Sequence, residues 1–101
     1  VWHYSIPAFD SEALPVLDDP HSILSNKYAV PTDAILVSKL NPETKRIWLT
    51  ADCFSNAICS TEFIVFSPIH SVHRVFYYLL FNTKDFIDFM VSNATGQRTV
   101  A

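Results

Sequence analysis

The sequence predicts a mixed α/β domain of the α+β kind: a curved, mixed β-sheet with hairpins, followed by two short amphipathic helices packed on it. Three observations predict it. The β-branched, apolar run 34–40 and the alternating run 46–50 flank the turn signal Asn41-Pro42-Glu43-Thr44. Ile64-Val65-Phe66 reads as a further strand ending at Pro68. Beyond it the apolar period changes from two to about 3.6, with Val72, Val75, Phe76, Leu79 and Leu80 on one helical stripe.

Residues 1–33 carry Pro7, Pro15, Pro20 and Pro31. Each removes a backbone donor and pushes its predecessor toward extended structure, so short strands and loops are expected. Ile23-Leu24 is a brief apolar anchor before the polar Ser25-Asn26-Lys27. In the hairpin, Ile47 and Leu49 share one face of the second strand, and Arg46 and Trp48 the other. The first helix starts at Ser71 as N-cap and buries its Val72–Leu80 stripe. Thr83 caps the second, with Asp85 at the positive end of its dipole. Ile87, Met90, Val91 and Ala94 continue an apolar face, Asn93 and Gly96 end the helix, and residues 95–99 follow as a polar loop.

Composition narrows the function classes. With 101 residues the chain forms one domain; 50% hydrophobic and 17% charged residues describe an ordered fold rather than a disordered one. A single glycine excludes a glycine-rich phosphate loop and leaves turns to Pro, Asn and Asp. No apolar run reaches the ~20 residues that cross a bilayer, and Val1-Trp2-His3-Tyr4 lacks the features of a signal peptide. A cytoplasmic location is expected, with Cys53 and Cys59 as reduced thiols. Cys53, Cys59, His70 and His73 do not have the spacing of a zinc finger. No recognisable signature surrounds either cysteine as a nucleophile. The chain is therefore read as non-catalytic, with no metal or cofactor.

The binding candidates gather around the hairpin. Lys39 and Arg46 lie near one turn beside Trp48. Such cations donate to guanine O6 and N7 or hold phosphates, and Asn41 and Asn26 carry the donor and acceptor that read adenine. The competing reading is an Arg46–Trp48 surface stack that only supports the hairpin. Glu62 is a candidate partner for Lys39 or Arg46 across the sheet. Net charge is −3, with acids at Asp10, Glu12, Asp18, Asp19, Asp85 and Asp88, so any positive surface is local. A domain so charged binds DNA weakly alone, since phosphate neutralisation supplies most non-specific affinity.

Ser22 to Tyr28, Ile35 to Pro42, Arg46 to Leu49, Cys59 to Phe63, Phe76 to Leu80 and Thr95-Gly96 occur in an order that resembles the target-recognition domain of a type I restriction–modification specificity subunit. The likeness extends to Tyr4–Asp10 at the start. It implies a module that recognises one half of a bipartite target in double-stranded DNA, with methyltransferase and restriction subunits as partners and no membrane. The long helical spacer of that family and its sequence ahead of Val1 are not in this chain, so a fragment, one recognition half, is expected. On this reading Lys27, Lys45 and Arg98 hold phosphates, Lys39, Asn41 and Arg46 approach base edges beside Trp48, and the Gly96-Gln97-Arg98 loop meets the backbone. The rival is a protein-interaction module that docks a partner through aromatic residues of the first helix, Phe76, Tyr77, Tyr78 and Phe81.

Overall fold

The structure, a computed structural model, describes residues 1–23, 25–51 and 53–100, with the backbone alone at Ser71 and over 94–100. The described residues form seven β-strands and three α-helices, an α+β fold. The strands build two sheets, without a closed barrel, in place of the single sheet expected.

The first difference lies in residues 1–33. β1 (Trp2–Tyr4) leads into α1 (Ile6–Glu12), where loops were expected. Ser5 Oγ accepts from the Ala8 N–H at 3.2 Å and Pro7 sits in the first turn. A proline there starts a helix, because its missing N–H would be unpaired anyway. Ala13 closes α1 in the left-handed region, φ 56°, its N–H donating to the Ala8 and Phe9 carbonyls. β2 (Val16–Leu17) and β3 (Lys27–Val30) follow. Ile23 is half-buried, while Leu24, the other half of the expected anchor, lies outside the described residues.

The hairpin forms as expected. β4 (Ile35–Ser38) and β5 (Ile47–Leu49) pair antiparallel through a 3-10 turn at Pro42–Thr44. β7 (Phe63–Phe66) lies on the other side of β4. β6 (Ala57–Ser60) was not foreseen; it joins the first sheet between β1, which it meets in parallel, and β3.

The β5-β4-β7 sheet is buried on both faces, which is why Ile35-Leu36-Val37 is continuously apolar. One face carries Leu36, Trp48 and Phe63 into a core shared with Tyr4, Ala8, Val30, Ala57 and Cys59. The other carries Ile35, Val37 and Ile47 into a core with Phe81 and Ile87 of the C-terminal helices. Thr50, buried at the end of β5, accepts from Ala34 N–H at 3.0 Å, and its hydroxyl lies 3.0 Å from Ala34 O and 3.2 Å from Pro31 O.

A 3-10 turn, Ser71–His73, precedes α2 (Arg74–Phe81); the Ser71 side chain, the expected cap, lies outside the described residues. Arg74 Nη1 donates to Thr50 O at 2.7 Å and to Thr32 O at 3.2 Å, fixing the start of α2 against the sheet. Thr83 caps α3 as expected, its Oγ1 accepting from Phe86 N–H at 3.3 Å. α3 (Lys84–Val100) continues through Asn93 and Gly96, so residues 95–99 are helical rather than a loop. One mid-helix glycine weakens a helix by ~1 kcal/mol without ending it when the flanking residues favour continuation.

Candidate interaction site

The expected site residues divide into exposed, half-buried and buried groups. Lys39, Asn41 and Lys45 are exposed around the tip of the β4–β5 hairpin, next to the turn that α3 approaches. Asn41 and Lys45 both take left-handed backbone, φ 47° and 57°. Lys27 sits apart, half-buried on β3 opposite Ser60. Gly96, Gln97 and Arg98 are on α3, and their side chains lie outside the described residues.

Arg46 and Trp48 are not free at that tip. Arg46 Nε donates to Asp10 Oδ1 at 2.8 Å and Nη2 to Asp10 Oδ2 at 3.0 Å, a bidentate pair that joins the hairpin to α1. The pair holds the Asp10 carboxyl below its ordinary value, chiefly through those hydrogen bonds, and raises Arg46. Trp48 is 5% exposed, with Tyr4, Phe9 and Phe63 edge-on around it, and its Nε1 donates to Ala13 O at 3.1 Å. β5 alternates as read, but both of its faces are covered, so alternation does not mark a wet side. The Arg46–Trp48 surface stack is absent for the same reason. The Glu62 carbonyl, not its side chain, meets Lys39, accepting from its N–H at 2.7 Å.

The thiols differ in environment. Cys53 is exposed and Cys59 buried, both free. Burial pushes the Cys59 thiol up to about 11, opposed by the charge of Lys27 and a backbone hydrogen bond from Tyr28. This moves it away from the thiolate that a nucleophile requires.

α2 presents the largest departure from expectation. The expected apolar stripe faces outward: Val72, in the turn before α2, is 82% exposed, and on α2 Val75 is 55%, Phe76 62%, Leu79 61% and Leu80 44% exposed. The opposite side packs on the sheet. Phe81 is buried; Tyr77 and Tyr78 are half-buried against the same core, and Phe66 meets Tyr77 and Phe81 at ring separations of 5.1 Å each. Tyr77, Tyr78 and Phe81 filled the inner layer, and the stripe, with Phe76 in it, was left for solvent. Sequence reasoning named both faces and assigned them in reverse. The signal that separates them is volume, since Tyr77, Tyr78 and Phe81 bury more area than Val75 and Leu79.

Searched against family models, curated proteins and solved structures, the chain matches none. Among the described residues no helix is long and apolar enough to cross a membrane.

Proposed function

We propose that the domain is a non-catalytic interaction module that docks a partner subunit through the outward stripe of α2. The observation that carries it is the exposure of Val75, Phe76, Leu79 and Leu80 on α2, with Val72 in the turn that precedes it. With ~150–250 Å² for a fully exposed aromatic side chain and less for Val and Leu, the five partly exposed residues present on the order of 500 Å², near the top of what a monomer shows. That approaches the ~800 Å² per partner of a stable complex. The stripe holds no charged residue, so the partner it fits presents a matching uncharged, apolar face.

A second reading is sequence-specific DNA recognition as part of a type I restriction–modification complex. Lys39, Asn41 and Lys45 support it, being exposed together at the hairpin tip. The pairing of Asp10 with Arg46 and the burial of Trp48 weigh against those two residues reading bases.

One experiment separates the readings. A photo-crosslinking amino acid at Val75 is expected to trap a defined protein partner, with an adduct that survives high salt and disappears in Leu79→Glu. In parallel, the domain is incubated at low salt with a randomised duplex pool. Retention of a short enriched motif that falls steeply with salt, without a Val75 adduct, overturns the docking reading in favour of DNA.

A further inference from the structure

The two sheets leave two strand edges open toward each other. β3 is the outer strand of one sheet and β7 of the other. Both line one cleft of about 480 Å³, through Tyr28 and Ala29 on the first side and Phe63, Ile64 and Val65 on the second, with Lys39 at its margin.

The register tells which backbone groups face that cleft. Ser38 N–H donates to Arg46 O on β5, and Lys39 N–H donates to Glu62 O on the β7 side. Hydrogen bonding in an antiparallel pair alternates along the strand, so Ile35 and Val37 continue the Lys39 pattern toward β7. Their partners Phe66 and Ile64 bond inward. The N–H and C=O groups of Phe63 and Val65 therefore point away from β4; Phe63 is fully buried, so only those of the half-buried Val65 can be reached from the cleft.

The edge is also unprotected. Phe63-Ile64-Val65-Phe66 contains no charge and no proline, the devices by which edge strands are normally blunted. Across the cleft, Tyr28 lies opposite Cys59 in the β3–β6 pair and so shares its face of the sheet. Cys59 is fully buried, whereas Tyr28 is 46% exposed, since among the described residues no further strand pairs with β3 where the sheet ends. The side walls are thus apolar, and the outward backbone of Val65 lies at one rim.

We propose that this cleft accepts one extended peptide strand bearing an acidic side chain. The backbone N–H and C=O of Val65 supply the hydrogen bonds, alternate side chains of the peptide lie against Tyr28 and Val65, and the acid pairs with Lys39. Extended backbone is the chemistry that unpaired strand edges recognise. Lys39 is the only charge among the described lining residues, which selects the acid. A single strand is preferred over the edge of a second copy, since each folded copy brings its own opposing β3 rim. The site is separate from the outward face of α2.

The probe is a fluorescein-labelled peptide, Thr-Val-Asp-Val-Thr, titrated into the intact domain by anisotropy and by amide NMR. Binding is expected with shifts and slowed exchange at the Val65 amide. N-methylation of the two valines is expected to weaken it by ~10-fold or more, by removing edge hydrogen bonds. Lys39→Glu is expected to weaken it several-fold and to reverse the preference toward the same peptide with Lys in place of Asp. Val65→Pro, which removes an outward donor and leaves the Ile64 and Phe66 bonds in place, is expected to abolish binding; a thermal melt confirms that this variant is folded. Absence of binding, indifference to N-methylation, or shifts confined to α2 overturns the proposal. So does concentration-dependent dimerisation through β7 that the peptide does not disrupt, which assigns the edge to a second copy.

Discussion

Truncating Leu79 and Phe81 to alanine, two positions apart on one helix, tests the orientation of α2. Phe81 is 9% exposed and packs on Phe66 and Phe86 at ring separations of 5.1 and 4.7 Å. Removing it opens a cavity in the core between sheet and helices, and Phe→Ala changes of this kind cost ~3–5 kcal/mol. Leu79 is 61% exposed, so most of its area is in water already. With ~1.5–3 kcal/mol for complete burial of a leucine, its truncation forfeits about 1 kcal/mol at most, and alanine's higher helix propensity returns part of that. Urea unfolding followed by circular dichroism should show a midpoint for Leu79→Ala close to the parent. Phe81→Ala should lose ~3 kcal/mol or more at similar slope, or fail to fold if the parent sits at the low end of the ~5–15 kcal/mol typical of domains. A larger loss for Leu79→Ala than for Phe81→Ala would show that the stripe faces the core after all. The docking reading would fall with it.

Other outcomes follow from the same contacts. Cys59 rises from an ordinary thiol value near 9 to about 11, so its contribution is complete below pH 9 and is lost as pH climbs toward 11. Stability measured across that range should drop by up to about 3 kcal/mol, and Cys59→Ala should flatten the slope. Asp10 is shifted the other way, so the Arg46 pair contributes above the ordinary carboxylate value and is lost as pH falls through the lowered one. Arg46→Met should remove that part of the acid limb in a pH-dependent melt. Ala13 holds left-handed backbone at φ 56°, which an L-residue occupies at a cost; Ala13→Gly should raise stability by ~0.5 kcal/mol in the same urea assay, provided the Trp48 bond to its carbonyl persists.

Period and turn chemistry made the β4–β5 hairpin, β7 and the start of α3 legible. Asn41-Pro42 and Thr83 act locally, so one sequence suffices to read them. Burial on both faces was not legible at Arg46-Ile47-Trp48-Leu49, because alternation reports a pattern and not what covers each side. α1 was misread because Pro7 was taken as a breaker, although Ser5 two residues earlier is the signal for a helix start. β6 was missed since Ala57–Ser60 is short and gains its place from β1 and β3, both distant in the chain. At the candidate site, exposure of Lys39, Asn41 and Lys45 agreed with their polar setting, whereas the fate of Arg46 depended on Asp10, a partner no local window contains.

The parallel pairing of β1 with β6 joins Trp2 to Ala57 and Tyr4 to Cys59. The β5-β4-β7 sheet and α2 need only the stretch from Ile35 to Phe81, so they can assemble early and from nearby pieces. The other sheet must wait, because its central contact closes a loop that encloses most of the strands. During synthesis β1 can pair with the nearby β2, but its other edge stays open until β6 has left the ribosome. Over that interval Tyr4 lacks the cover it finds in the core, and deleting β1 would leave β6 with β3 as its one neighbour.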